Sequence, residues 1–314
     1  MKWLEICVPV ESEEDARLVC QLFDLYGRGG AVQEQLFYDQ DQGNTTGPPP
    51  VTVKTYLSLD GDDDQTLQLL RDKLSDLADL LHNPAVQFRE LEEKDWATAW
   101  KAFFQPRRIG KRIVLKLPEQ TYAAGEDDLV IDLEPGMAFG TGLHATTRMC
   151  LVCLEELVRP GARLLDMGTG SGVLAIAAVK LGAAHVLALD HDPTAVAVAR
   201  ENVSGNSVIE AVRVAEGSLD FLTEHHVPHF DGMVINIIAD VIADLMVRGL
   251  SSYLQPGGWL VASGILASAE RRVRAAFEKC EMKVSARYQE EEWVTLCGTK
   301  GHSDGPWPLG GEGA

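Results

Sequence analysis

Residues 163–190 have the sequence RLLDMGTGSGVLAIAAVKLGAAHVLALD, and this stretch decides the fold. A short apolar run ends on Asp166, glycines follow at alternate positions, an Ala-rich segment comes next, and a second apolar run ends on Asp190. This succession predicts strand, turn, helix and strand, which together form one βαβ unit. Because glycine has no Cβ, Gly168 and Gly170 allow a sharp turn and the close approach of a ligand to the backbone.

The spacing of the glycines separates two classes of nucleotide-binding turn. The dinucleotide fingerprint is G-x-G-x-x-G, whereas the third glycine here comes one residue earlier and Asp166 precedes the first by two positions. A carboxylate would repel a pyrophosphate but would favour a ligand ammonium group. The pattern resembles the first motif of the class I S-adenosylmethionine-dependent methyltransferases. Asp190 ends the second strand, where a carboxylate can accept both hydroxyls of a ribose.

The first 92 residues predict a small α+β domain. Apolar residues at three-to-four spacing indicate two helices, and Ser12 is placed to cap the first of them. Strand-like runs surround these helices and give the order βαββαβ, which is that of a ferredoxin-like domain. Nothing in this part suggests catalysis, so we expect it to bind a macromolecule. The predicted strands are 3–9, 31–38, 51–59 and 85–91, and the predicted helices cover 12–26 and a segment beginning at Asp62.

Two polar positions outside the glycine turn point to the same site. Thr146 and Thr147 follow a Gly-rich stretch and lead into a helix predicted to run to about Val158. Hydroxyls and free N–H groups at a helix start favour a carboxylate, although a simple N-cap explains them equally well. Asn236 ends the apolar run FDGMVIN, and doubly wound folds place chemistry at the carboxyl ends of such strands. The alternative for Asn236 is a cap on the next helix, predicted over 239–250.

Further segments complete the large domain. Strands are predicted around the loop at 119–127, a loop over 216–229, a turn at Pro256-Gly257-Gly258, and an antiparallel hairpin formed by 281–289 and 293–299. His225, His226 and His229 lie in the predicted loop without a nearby cysteine cluster, so we interpret them as solvated and predict no metal site.

The amino-acid composition limits the classes of function that fit this chain. The net charge of −19 disfavours nucleic acid and suits a basic partner. The sequence contains no apolar run of membrane length and no signal-peptide pattern at its start, so we expect no membrane association and a cytoplasmic location. Of the six cysteines, Cys150 and Cys153 alone have C-x-x-C spacing, and we expect both to face the core from one helix.

The chain as a whole resembles the ribosomal protein L11 methyltransferase family. The resemblance is carried by strings that occur in the family's order from the linker to the last hairpin, and it spans nearly the whole chain. NIIA stands where NILA is more usual, and the N-terminal domain is divergent, which leaves the substrate range open. The strings are DWATAWKAFFQP, AFGTGLHATTRMCL, LLDMGTGSGVLAIAAVKLGA, NIIADVI, SGIL and EEEWV.

The resemblance implies an α/β fold of the class I methyltransferase type: a Rossmann-like, doubly wound, mostly parallel seven-stranded sheet with a smaller N-terminal ferredoxin-like α+β domain. We accordingly expect a substrate-recognition domain at 1–92, a linker helix and connector at 93–118, the methyltransferase domain at 119–300, and a disordered tail at 301–314.

The family's cofactor positions fall here on Thr147, Gly168, Asp190 and Asn236, and Gly170 is expected to pack against S-adenosylmethionine beside Gly168. The implied reaction transfers methyl groups to lysine ε-amines and to the N-terminal α-amine of ribosomal protein L11. The sequence offers no strong candidate for a general base.

Other readings of the sequence stay open at this stage. A class I methyltransferase that acts on another protein or on a small molecule would share every cofactor residue. A nicotinamide-dependent oxidoreductase is disfavoured by the early third glycine, by Asp166 and by the predicted terminal hairpin. A binding module in ribosome assembly with an inactive fold would not need the complete set of cofactor residues.

Overall fold

The computed structural model describes residues 2–10, 12–26, 32–35, 51–58, 63–77, 81, 85–92, 105–134 and 144–301. The chain divides into two compact units, Met1–Phe103 and Phe104–Ala314. The predicted linker helix and the predicted disordered tail lie outside the described residues, except for Gln105 and Gly301 at their edges. The domain boundaries drawn from the sequence therefore stay predictions.

The first unit has the order predicted from its sequence. Its four strands form an antiparallel sheet in the order β2-β3-β1-β4, which is the ferredoxin-like arrangement. Ile6, Val19 and Phe23 are fully buried in its core, and Ser12 caps the first helix by accepting the backbone N–H of Asp15 at 3.0 Å. The elements are β1 (Lys2–Val10), α1 (Glu13–Tyr26), β2 (Val32–Gln35), β3 (Val51–Ser58), α2 (Asp63–Leu77) and β4 (Gln87–Glu92).

The second unit begins with a three-stranded sheet in the order β5-β6-β7. Its strands are β5 (Arg107–Ile109), β6 (Ile113–Lys116) and β7 (Leu129–Asp132), and they surround the predicted loop at 119–127.

A seven-stranded sheet forms the centre of the second unit, in the order β10-β9-β8-β11-β12-β14-β13. Neighbouring strands are parallel from β10 to β12, and β14 is antiparallel to both of its neighbours. The predicted class I methyltransferase fold is therefore confirmed, including the terminal hairpin. The strands are β8 (Arg163–Met167), β9 (His185–Asp190), β10 (Val212–Glu216), β11 (Phe230–Asn236), β12 (Leu254–Leu266), β13 (Met282–Glu290) and β14 (Trp293–Lys300).

Six helices accompany the large sheet among the described residues. Cys150 and Cys153 are buried on the first of them, as their spacing predicted, and Cys153 Sγ lies 3.6 Å from Cys297 Sγ. No helix in the described ranges is both long enough and apolar enough to span a membrane. The helices are α3 (Ala145–Leu157), α4 (Val173–Lys180), α5 (Pro193–Gly205), α6 (Leu219–Glu224), α7 (Ala239–Val247) and α8 (Glu270–Lys279).

Local predictions in the second half of the chain were wrong at three places. The loop predicted over 216–229 contains α6, because Leu219 and Leu222 are buried in the core on a helix too short to show periodicity. The predicted Pro-Gly-Gly turn lies inside β12. The pairing of β12 with β11 shifts register at this point, so the strand continues past the three residues. The helix predicted over 239–250 ends at Val247, and a short 3₁₀ helix, Leu250–Tyr253, follows it.

Candidate active site

The strand order changes direction between β8 and β11, and the predicted site residues lie at the carboxyl ends of the strands around this point. β9 and β10 extend the sheet on one side of β8, while β11 and β12 extend it on the other. In open α/β sheets the crevice above such a switch point is where ligands bind. Asp190 and Asn236 are the last residues of β9 and β11.

The glycine turn is held in a conformation that other residues adopt at a cost. Gly168, Gly170 and Gly172 all have left-handed φ, at +75°, +54° and +82°. A Cβ on Gly168 would lie 2.5 Å from the Cγ2 atom of Ile237. The turn therefore requires glycine at its first position for reasons of space as well as conformation.

The carboxylate of Asp190 is fixed by the turn that faces it. Its Oδ2 atom accepts the backbone N–H of Gly170 at 2.9 Å, and its Oδ1 atom accepts the backbone N–H of Asp192 at 3.1 Å. The side chain is 10% exposed. A carboxylate oxygen has two acceptor positions, so each oxygen keeps the capacity to accept a ligand hydroxyl. The structure thus brings Gly170 and Asp190 together, as the sequence suggested.

Asp166 is a buried carboxylate with an incomplete set of partners. Oδ2 accepts the hydroxyl of Thr169 at 2.6 Å, and the backbone N–H of Ala175 also donates to the carboxylate. Oδ1 is buried and has no hydrogen-bond partner among the described residues. Burial, and secondarily the charge of Asp190, raise the pKa of Asp166 to about 7. A buried carboxylate oxygen without a donor among the described residues suits a ligand group that is cationic or donates a hydrogen bond.

The raised pKa of Asp166 makes a prediction about stability and pH. The folded chain keeps this proton up to about pH 7, whereas the unfolded chain releases it near pH 4. The unfolding free energy should therefore fall across this window by up to about 4 kcal/mol. Asp166→Asn removes this titration, so the variant should gain stability relative to the wild type between pH 4.5 and pH 8. Urea unfolding at both pH values measures the difference, and parallel pH profiles would contradict it.

Thr147 and Asn236 come together although 89 positions separate them in the chain. The Nδ2 atom of Asn236 donates to the Thr147 hydroxyl at 3.2 Å. Thr147 is buried in the first turn of α3, whose N-cap is His144, while α7 is capped at Ile238. Neither threonine is therefore the helix cap considered from the sequence, and Asn236 does not cap α7.

The placement of Asn236 depends on the next residue, whose role sequence reasoning missed. Ile237 lies between two glycines, with its side chain against Gly168 and its backbone against Gly264. Gly264 has a left-handed φ of +80°, and a Cβ there would clash with the carbonyl oxygen of Ile237. The SGIL string contained this glycine, but only the three-dimensional structure relates it to Asn236.

A second missed residue is Asn202 of α5, whose buried side chain ties two segments together. Its amide donates to the carbonyl of Ser171 in the glycine turn at 2.9 Å. The same side chain accepts the N–H of Glu134 at 2.9 Å and donates to its carbonyl at 3.1 Å. Asn202 therefore fixes the glycine turn against the segment that leads to residues 135–143, which lie outside the described residues.

The rim of the site is formed by the start of α3 and the β13–β14 hairpin. The rings of His144 and Trp293 meet edge to face, with centroids 4.9 Å apart. Arg148 forms an ion pair with Glu290. Burial, and secondarily the charge of Arg148, lower the pKa of His144 below its usual value, with Glu290 and Glu292 acting in the opposite direction. No group of three or more potential metal ligands occurs in the described part of the chain.

The switch-point sheet, the glycine turn and the two acidic strand ends define a class I methyltransferase that uses S-adenosylmethionine. The residues fit this cofactor, because Asp166 presents a buried oxygen that no described residue contacts by a hydrogen bond, and Gly168 leaves no room for a Cβ.

Comparison with known proteins identifies the family. The sequence model described as "Ribosomal protein L11 methyltransferase (PrmA)" matches residues 2–301, and the chain belongs to this family.

Individual relatives support the same assignment, two of them over nearly the whole chain. The chain is 43% identical to the ribosomal protein L11 methyltransferase of Chloroflexus aurantiacus, with 94% of this chain and 97% of the relative covered. It is 41% identical to that of Symbiobacterium thermophilum, with 96% and 100% covered. A crystal structure of the ribosomal protein L11 methylase from Lactobacillus delbrueckii subsp. bulgaricus is 29% identical, with a TM-score of 0.57, and covers 63% of this chain and 100% of that one.

Proposed function

We propose that the chain transfers methyl groups from S-adenosylmethionine to amines of ribosomal protein L11. The observation that carries this proposal is the convergence of Asp166, Asp190 and the Thr147–Asn236 pair at one switch point, in a chain whose relatives bear that substrate in their names. We extend it to lysine ε-amines and the N-terminal α-amine as acceptors. A ribosomal substrate places the reaction in the cytoplasm.

Asp190 and the glycine turn would hold the nucleoside part of the cofactor. The two backbone N–H groups that donate to Asp190 hold its carboxylate in one orientation, in which both oxygens would accept the ribose hydroxyls. Gly168 and Gly170 would lie against the ribose and methionine portions, where a side chain would exclude the ligand.

Asp166 and Thr147 would hold the amino-acid part. The unpartnered Oδ1 of Asp166 would accept from the ligand ammonium, directly or through a water molecule. Thr147 accepts from Asn236 through its oxygen, which leaves the hydroxyl hydrogen to donate to a carboxylate. These two side chains would therefore complement a zwitterion.

The acceptor amine must lose its proton before it can attack. At pH 7 only about one free lysine in two thousand is neutral, and an apolar, water-poor pocket increases that fraction. The bound cofactor supplies an electrophilic methyl group on a positively charged sulfur. Because the Asn236 amide nitrogen is committed to Thr147, its Oδ1 atom is the acceptor that would orient the amine N–H and aim the lone pair.

The direct test is methylation of purified ribosomal protein L11. We expect intact-mass spectrometry to show a stepwise gain of methyl groups after incubation with the chain and S-adenosylmethionine. Peptide fragmentation should place the methyl groups on lysines and on the N-terminal amine. An unmodified L11, in a reaction where calorimetry shows that the cofactor is bound, would contradict the substrate and leave the cofactor assignment intact.

Loss of the Asn236–Thr147 hydrogen bond should reduce turnover. We expect Asn236→Ala to lower kcat by about a hundredfold, since a misplacement of about 1 Å has effects of that size. Thr147→Val removes the acceptor of the same hydrogen bond and should therefore also lower kcat. Single-turnover methylation of L11 at saturating cofactor measures both. Methylation at the wild-type rate by both variants would contradict a role of this hydrogen bond in turnover.

A further inference from the structure

A row of basic side chains crosses the amino-terminal edge of the large sheet, opposite the candidate active site. Arg163 begins β8 and is paired in register with His185, which begins β9. Arg213 of β10 is paired with Leu187, two positions further along β9. Because side chains alternate along a strand, paired residues and residues two apart project from one face. Arg163, His185 and Arg213 therefore project from the same face of the sheet.

A cavity of about 470 Å³ lies over this basic row. Its volume falls in the range of about 300–1,000 Å³ that is usual for small-molecule sites. The lining includes two arginines and two histidines against a single glutamate, Glu210, in a chain with a net charge of −19. The lining is thus basic, in contrast to the acidic balance of the chain as a whole.

Arg163 is half-buried, and one nitrogen of its guanidinium has no partner in the described part of the chain. This nitrogen, Nε, is buried and makes no hydrogen bond to any described residue. The nearby Asp231 carboxylate accepts the backbone N–H of Arg163 at 2.8 Å. A buried N–H without an acceptor is costly, and an anion in the cavity would balance the charge of the same guanidinium.

One wall of the cavity is suited to the organic part of a ligand. The guanidinium of Arg213 lies 5.5 Å from the centre of the Phe221 ring, and Phe221 stacks on His225 at 4.0 Å with an interplanar angle of 17°. Ile209 is 63% exposed at the edge of the cavity, and Val227 also lines it. Stacked and apolar groups of this kind contact a planar or hydrophobic body.

We propose that this cavity binds a small organic phosphate. The phosphate lies against Arg163 and Arg213, whose guanidinium groups match its geometry. The organic part lies against Ile209, Val227 and the ring of His225, which stacks on Phe221. This site is independent of the methyltransferase site, because the two occupy opposite edges of the sheet.

Calorimetric titration with uridine monophosphate tests the proposal, with uridine and inorganic phosphate as comparison probes. The protein is first saturated with S-adenosylhomocysteine, so that a nucleotide does not enter the cofactor site. We expect uridine monophosphate to bind with a Kd below about 1 mM at low salt. Uridine and inorganic phosphate should each bind at least about tenfold more weakly, because each lacks half of the contacts.

Arginine variants identify the site that the nucleotide occupies. Arg163→Gln should weaken binding of uridine monophosphate at least about tenfold, and Arg213→Gln, which changes an exposed side chain, should do so without affecting folding. Arg271→Gln, on the exposed side of α8, is the matched control and should bind like the wild type. Equal affinity for uridine and uridine monophosphate, phosphate binding as tightly as the nucleotide, or unchanged binding in both cavity variants would each overturn the proposal.

Discussion

Asp190→Ala is expected to weaken binding of S-adenosylmethionine by about ten- to a hundredfold. The substitution removes the acceptor proposed for the ribose hydroxyls. It also releases the backbone N–H groups of Gly170 and Asp192 from the carboxylate that fixes them. Isothermal titration calorimetry with S-adenosylmethionine measures the loss, and Asp190→Asn should fall between the alanine variant and the wild type, because the amide keeps one acceptor oxygen.

Asp192→Ala separates a direct effect on the ligand from a local effect on the loop. The Asp192 side chain caps α5 by accepting the N–H of Thr194 at 2.8 Å, and its backbone N–H, which donates to Asp190, survives the substitution. The variant should lose about 1 kcal/mol of stability and keep its cofactor affinity within about threefold. If Asp190→Ala bound the cofactor as tightly as the wild type, the proposed ribose contact would be wrong. If Asp190→Ala and Asp192→Ala lost the same cofactor affinity, the effect would come from the conformation of the loop.

The elements that the sequence predicts well are those whose physical cause is local. The glycine spacing predicts the turn because left-handed φ is a property of single residues, and Gly168, Gly170 and Gly172 all adopt it. The apolar runs ending on Asp190 and Asn236 predict strands whose ends meet, because parallel strands share one carboxyl edge. The prediction of a mostly parallel sheet of seven strands came from the family resemblance and not from periodicity, and the order of the strands is known only from the structure.

The features that the sequence does not predict depend on contacts between distant segments. Asn202 lies in an ordinary helix, and its bonds to Glu134 and Ser171 arise only when α5 packs beside the glycine turn. The helix α6 is only 6 residues long, so its apolar positions form no recognisable period. The Asp166 oxygen that has no partner among the described residues is likewise a consequence of burial, which the acidic residue alone does not reveal.

Ile237 shows how such distant contacts govern the site, and it gives a prediction with a large effect on both stability and activity. Gly264→Ala should destabilise the second unit by about 3 kcal/mol or more. The φ of +80° is unfavourable for alanine, and the added Cβ would lie 2.9 Å from the carbonyl carbon of Ile237 and closer still to its oxygen. Since this clash is with backbone, it is relieved only by moving the Asn236–Ile237 segment. The variant should therefore lose methylation rate as well as stability.

Gly161→Ala is the matched control, because Gly161 has a comparable φ of +86° but nothing within 4 Å of the added Cβ. Its cost should be only the conformational one, about 1–2 kcal/mol, and its methylation rate should equal that of the wild type. Urea unfolding and single-turnover methylation of L11 measure the two quantities for each variant. If both variants lost the same stability and kept the same rate, the left-handed backbone alone would explain Gly264, and the contact with Ile237 would not position Asn236.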